Sequence, residues 1–450
     1  MRTTAALVMV LFALPPALAA ADEAQDELEQ RVRILERKLE VAEEEKQAKA
    51  KESTTPAAGE KGFGFKNADG SYEFRFKGLL QADGRFFSGD EQAFNDTWLL
   101  RRVEPSFELT LGKLAFLKIQ PQFAGDSVTT SDAYGELRFT PAAGLRFGKF
   151  KTPLGLENLQ SSSALTFVER GLPTEVGAGR DLGLQLQGEL LGGTASYQLA
   201  WLNGAPDGRD VASSDTDNRK ELAARLFFEP FKAEPGLLQN LGFGIAATHG
   251  RKLGAATTAA FNNTLPRYRS PGQNTVFSYR SNATPTDANT VIAAGDHARY
   301  SPQLHFYRGG FGLLGEYIAS KQEVSLAGAV VELEHKAWQA VASYVLTGED
   351  ASYKGVKPAA PYADDGGWGA FEIALRYGTL DLDDAAFPVY ANPDSAVSEL
   401  ADLGVALNWY LTSNARLALN YDRTQFDGGA AAGADRDDEK AFFTRLQLSF

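Results

Sequence analysis

The chain has 450 residues, with 29 phenylalanines, 44 glycines, no cysteine and two methionines, both within the first nine positions. A net charge of −13 argues against nonspecific nucleic-acid binding, so no nucleic-acid partner is expected. The absence of cysteine rules out disulfide and thiolate-metal chemistry and is compatible with export.

The first predicted element is a targeting segment. In MRTTAALVMVLFALPPALAA, Arg2 precedes an apolar run from Ala5 to Leu14, then a proline break and small residues at Ala17, Ala19 and Ala21. That run is too short for a bilayer helix and reads as a signal peptide over residues 1–21. Nothing later in the chain is long and apolar enough for such a helix. The exported chain is therefore either soluble outside the cytoplasm or spans a membrane as strands.

Residues 22–52 follow. Leu28, Val32, Leu35, Leu39 and Ala42 recur at spacings of four and three among glutamate, lysine and arginine. This predicts a short α-helical coiled coil of about three heptads, a device for self-association, with a solvated single helix as the alternative. STTPAAGEKG, residues 53–62, reads as a flexible linker.

From residue 63 to 450 the period changes to two. Tyr72, Phe74, Phe76 and Leu80 share one face, and Glu73, Arg75, Lys77 and Gln81 the other. DLGLQLQGEL sets Leu182, Leu184, Leu186 and Leu190 against Gln185, Gln187 and Glu189. About sixteen such segments, many near the length that crosses a bilayer when tilted, predict an all-β transmembrane barrel of about 16 antiparallel strands. The connections alternate short (TPAAG, LGG) and long (Arg251–Asn289, Gly348–Gly367), as expected of two unlike rims. Tyr197, Trp201, Trp338, Tyr344, Trp409 and Tyr410 are expected in interfacial girdles.

The text Arg146–Leu190, RFGKFKTPLGLENLQSSSALTFVERGLPTEVGAGRDLGLQLQGEL, resembles the phosphate-selective porin O and P family, as do QADGRFF, LLRRVEPSFELTLG and AYGELRF. The resemblance covers the chain from about Asp22 onward, and GKFKTPLGLE is its most specific box. It implies an outer-membrane homotrimer in a Gram-negative bacterium, with the coil in the periplasm and lipid around the barrel. It also implies passive uptake of anions such as phosphate or polyphosphate.

An anion pore needs fixed positive charge where water is scarce, and it must still release its ion. Alternation puts Arg75, Lys77, Lys118, Arg138 and Arg445 on the wet faces. The segment 149–180 is too long for a turn and too apolar for an external loop, and a constriction loop folded into the lumen accounts for it. Carried over from the family, the constriction residues are Arg85, Arg101, Arg102, Lys149 and Lys151, with Lys118 a weaker match. Arg101 and Arg102 are adjacent, so both reach the lumen only through a bulge or a strand end. Against this stands an acidic remainder of about −10 outside the leader and coil, and Arg219, Lys220 and Arg225 are the nearest thing to an arginine run.

Other signals point to no cofactor, metal or catalysis. Gly310, Gly312 and Gly315 spell G-x-G-x-x-G but open no helix, and the four histidines lack metal spacing. The alternatives are a porin without phosphate selectivity, a barrel tethering the envelope through its coil, and, more remotely, an outer-membrane hydrolase. The chain ends AFFTRLQLSF, a strand with Phe442, Leu446, Leu448 and Phe450 toward lipid and Arg445, Gln447 and Ser449 toward water. It is expected to close the cylinder against the first strand near Tyr72–Gln81. By resemblance, its terminal aromatic is the signal read by the outer-membrane assembly machinery.

Overall fold

A computed structural model describes residues 17–450, apart from 53, 60–61, 89–94, 213–214, 216, 258–260, 263 and 364–365. Most of the expected signal peptide, residues 1–16, lies outside the described residues. Ala17–Glu52 form one helix, α1, about 54 Å long at its rise per residue. Pairs four apart such as Arg31–Glu27 run along it, while Leu28, Leu35 and Leu39 stay 63–65% exposed. The expected helix is present, and its apolar stripe is uncovered in the single chain. Within the expected linker, Thr54–Gly59 is a strand, not a coil.

The barrel is a closed ring of sixteen antiparallel strands. Its first half is β1 Tyr72–Phe87, β2 Thr97–Leu111, β3 Ala115–Gln122, β4 Thr129–Thr140, β5 Ala143–Lys151, β6 Arg180–Leu190, β7 Ala195–Leu202 and β8 Glu221–Phe228. The second half is β9 Leu241–Leu253, β10 Ile292–Arg308, β11 Phe311–Leu326, β12 Ala329–Val345, β13 Ala370–Asp381, β14 Val397–Tyr410, β15 Ala415–Gly428 and β16 Glu439–Ser449. Each strand pairs with the next, and β16 returns to β1.

The faces are inverted relative to a soluble sheet. On β14, Leu403, Val405 and Leu407 are 40–46% exposed, whereas Asp402 and Asn408 are buried. On β13, Ile373, Leu375 and Tyr377 face out while Glu372 and Arg376 are buried inside. An apolar outer belt around a polar interior requires a membrane, and it excludes the soluble sandwich. Of the expected girdle residues, Trp201, Trp338 and Tyr344 are exposed, but Tyr410 turns inward, where its hydroxyl donates to Glu372.

The ring closes higher than expected. Ser449 pairs with Leu79, Gln447 with Gln81 and Ala441 with Phe87, so β16 meets the distal half of β1 and not Tyr72–Gln81 as a whole. Gly78 and Phe450 exchange both backbone hydrogen bonds. The Phe450 ring lies on Gly78, where a Cβ would stand 2.5 Å from it, and packs against Phe63 and Phe76. The lower edge of β1 is covered by Gly62–Phe65: a Cβ on Gly64 would meet the Phe74 carbonyl.

Alternation of loop length holds with three exceptions, the first being residues 229–240, a long connection between β8 and β9 on the rim of the tight turns. Ala327–Gly328, a tight turn with positive φ at both residues, sits on the rim of the long loops. The connection 346–369, expected among the long outer loops, lies on the rim of the tight turns and the C-terminus. It runs into the lumen, where the Tyr353 hydroxyl donates to the Leu156 carbonyl at 2.6 Å. On the opposite rim, the connection between β9 and β10 carries a hairpin, Arg267–Arg269 with Thr275–Ser278. Its Tyr268, Val276 and Phe277 pack on Leu172 and Val176 and on inward residues of β11–β15 such as Leu333 and Leu380.

Candidate functional site

In the segment expected to fold inward, 149–180, Lys149–Lys151 finish β5, Arg180 begins β6, and residues 152–179 lie between them. It is apolar because it is interior. Leu154, Leu156, Leu165, Phe167, Val168 and Val176 are nearly fully buried, around two short helical turns, α2 Leu156–Leu159 and α3 Pro173–Val176. A segment inside a wet lumen exposes main-chain polar groups that must find partners, and the barrel wall supplies them. Gln81 and Gln447 donate to the carbonyls of Ser162 and Ser163, Asn408 to Thr166, and Arg376 to Glu169.

The loop also carries a charge clamp. Glu169 accepts two bonds from Arg101, at 2.6 and 3.0 Å, and one from Arg85 at 2.8 Å. Burial opposes its charged form, but Arg101 and Arg85 hold its carboxyl well below the usual carboxylate range. Arg102 is 5% exposed and donates to Gln81 at 2.7 Å. The adjacent arginines both face inward because the register slips between Gln81 and Ala82: Gln81 pairs with Arg102 and Ala82 with Leu100, leaving Arg101 as the extra residue of a bulge.

On the side of β1–β7 the lumen keeps a cavity of about 440 Å³. Its lining carries five basic side chains, Lys77, Lys118, Arg146, Lys151 and Arg180, against three acidic ones, Glu104, Glu108 and Asp132. Ser161, Ser162 and Ser163 of the loop complete one wall. Most of these bases are compensated. Asp132 binds Lys118 at 2.8 Å and Arg180 at 2.7 Å, Glu108 binds Lys77, and Glu136 binds Arg146.

Two cations depart from that pattern. Lys151 Nζ donates to the Gln160 carbonyl at 2.8 Å, and Arg170 Nη2 donates to the same oxygen at 3.1 Å. Neither has a carboxylate partner among the described ion pairs. Arg170 also reaches the Glu157 carbonyl and stands 3.5 Å from the Ser162 hydroxyl. Two basic side chains meeting on one carbonyl, beside serine hydroxyls, form a local cluster of hydrogen-bond donors, which is what an oxyanion needs.

The six sequence candidates thus separate. Lys118 and Lys151 line the cavity. Arg85 and Arg101 hold the loop through Glu169, and Arg102 joins it through Gln81. Lys149 stands apart, 3.8 Å from Asp210 in the connection between β7 and β8. Arg146, Arg170 and Arg180 were missed. Arg146 and Arg180 sit within the motif text, and the glycines flanking Arg146 hide the alternation that would have marked it. Arg170 lies in irregular backbone and gives no periodic signal.

In the other half of the lumen, buried charges are paired. Arg299 is held between Asp207 and Glu221, and Arg376 between Asp402 and Asp422, all buried. The first pair lies against the hairpin, whose Tyr268 hydroxyl donates to Asp207, and Arg376 lies against the infolded loop, where it donates to the Glu169 carbonyl.

Comparison with known proteins agrees with this architecture. The profile of the family described as phosphate-selective porin O and P matches residues 74–450. Porin O of Pseudomonas aeruginosa is 25% identical over 409 residues, covering 85% of this chain and 89% of that protein. Among solved structures, the outer-membrane channel DcaP of Acinetobacter baumannii superposes with a TM-score of 0.52 at 14% identity, over 86% of this chain and 99% of that one. An anion-selective porin from Comamonas acidovorans superposes with a TM-score of 0.50 at 11% identity, over 84% and 99%.

Proposed function

The chain belongs to the phosphate-selective porin O and P family, and from that premise we propose that its pore passes small anions, phosphate among them, at a donor cluster centred on Lys151 and Arg170. It is an outer-membrane porin of a Gram-negative bacterium, and its function is passage and not catalysis. The observation that carries the anion reading is the convergence of Lys151 and Arg170 on the Gln160 carbonyl, with no ion pair to either among the described residues. A permeating phosphate exchanges part of its water shell for these donors and the Ser161–Ser163 hydroxyls, then leaves toward Lys118 and Lys77, whose charge is already shared with acids.

The test is reversal potential across a planar bilayer in asymmetric chloride, repeated with phosphate added. Anion preference and phosphate block support the proposal. Cation preference without block removes it and leaves a porin of other selectivity. The compensated lining favours weak binding and fast release, so a general anion pore is the second reading.

Three further assignments rest on the same premise. The barrel assembles as a trimer, α1 pairs with its copies through Leu28, Val32, Leu35 and Leu39 in the periplasm, and Phe450 is the residue read by the assembly machinery. The exposed stripe on α1 supports the second. The packing of the Phe450 ring at the closing seam supports the third.

A further inference from the structure

Glu169 stands where an oxyanion could stand. Both its oxygens take bonds from Arg101, a third bond comes from Arg85, and Arg445 Nη2 lies 4.0 Å away. A carboxylate offers an arginine fork the same pair of oxygens that a phosphate does. The surroundings are provisioned beyond one ion pair. Arg445 is already satisfied by two 2.7 Å bonds to Asp83, yet its charge still faces Glu169. Arg85 Nε is buried and has no hydrogen-bond partner among the described residues. Around this one carboxylate, the described ion pairs place three arginines. The carboxylate itself comes from the infolded loop and not from the wall.

We propose that Glu169 is a tethered occupant of a second oxyanion site, formed by Arg85 and Arg101 with Arg445 beside them, and that it determines how weakly the pore holds phosphate. The inference rests on the anion-passing reading above. A conducting site must release its ion, and bare paired arginines in a narrow lumen would hold a divalent oxyanion too long. The loop carboxylate satisfies them permanently and leaves the passing ion to Lys151 and Arg170. Glu169 is in this sense a specificity residue: it subtracts a strong site from the path.

Glu169→Gln keeps the shape and removes the charge, and Arg101→Gln/Glu169→Gln removes the site as well. Current block by inorganic phosphate and by sulfate is measured for both beside the wild type. The expected result for Glu169→Gln is block at least about tenfold tighter, the worth of one charge-assisted hydrogen bond. The double variant should return to within about twofold of wild type. Unchanged block in an assembled Glu169→Gln channel overturns the proposal, as does added current noise with no tighter block, the signature of a clamp alone. Should Glu169→Gln not assemble, refolding of Glu169→Ala in acetate against equal ionic strength of chloride tests the same site. Recovery of folded barrel by acetate supports it, and equal recovery in both salts overturns it. Cation preference of the wild type alone would instead sink the anion reading, so the two failures are distinguishable.

Discussion

At the residue scale, the basic side chains differ in how far their charge is already shared with acids. Lys118 and Arg180 share Asp132, and Arg101 and Arg85 share Glu169. Lys151 shares only a carbonyl with Arg170. Lys151→Ala should therefore weaken phosphate block about tenfold. Lys149→Ala, whose ammonium stands beside the partly exposed Asp210, should change it less than about twofold. Titration of block by phosphate on single channels checks both, and equal effects of the two variants would place the site elsewhere. The sequence carried part of this. Lys151 is legible from its motif, and the adjacency of Arg101 and Arg102 announces a bulge, because period two cannot send neighbours inward. Arg170 is not legible, since irregular backbone has no period. Nor is the clamp, because the contact of Glu169 with Arg85 and Arg101 joins positions 84 and 68 residues apart.

At the element scale, the strands were readable and the exceptions were set by tertiary contacts. Alternation marks a strand wherever one face meets lipid, which is the case around the whole ring. It cannot say which connection turns inward. The connection 346–369 has the composition of an outer loop, yet it lies on the opposite rim and supports α2 through Tyr353. The last strand shows the same limit, since its existence followed from pattern and its register did not. Because Phe450 exchanges both backbone bonds with Gly78 and its ring fills the space over that glycine, the residue completes the seam. Deleting Phe450 should lower the yield of assembled, heat-resistant protein several-fold, while channels that do form keep anion preference, because the ring packs on Phe63 and Phe76 and not on Lys151 or Arg170. Heat-modifiable migration on gels and single-channel recording read the two separately. Normal yield would contradict the role.

At the scale of the whole molecule, the net charge of −13 and the basic constriction do not conflict. Charge acts through distance and screening, and exposed loop acids beyond about 8 Å at physiological salt contribute little inside the pore. The lumen divides accordingly, with a self-paired half along β8–β15 and an open half along β1–β7 where bases outnumber acids. The helix α1 precedes the barrel in the chain. Removing residues 22–52 should leave conductance and selectivity unchanged, and the detached helix should self-associate in sedimentation; a change in selectivity would tie the helix to the pore, and a monomeric helix would contradict the pairing. Salt dependence belongs at this scale too. Anion preference should persist at high salt if it arises at buried groups, and fade if it arises at the rim.

The central claim is that an acidic outer-membrane barrel selects anions at the pair Lys151 and Arg170. Reversal potential under a tenfold chloride gradient, with and without phosphate, on wild type and Lys151→Ala, tests it most directly. The account predicts an anion-directed potential in wild type, suppressed current when phosphate is added, and loss of most of that suppression in Lys151→Ala. A cation-directed potential, or equal phosphate sensitivity in both proteins, would contradict it.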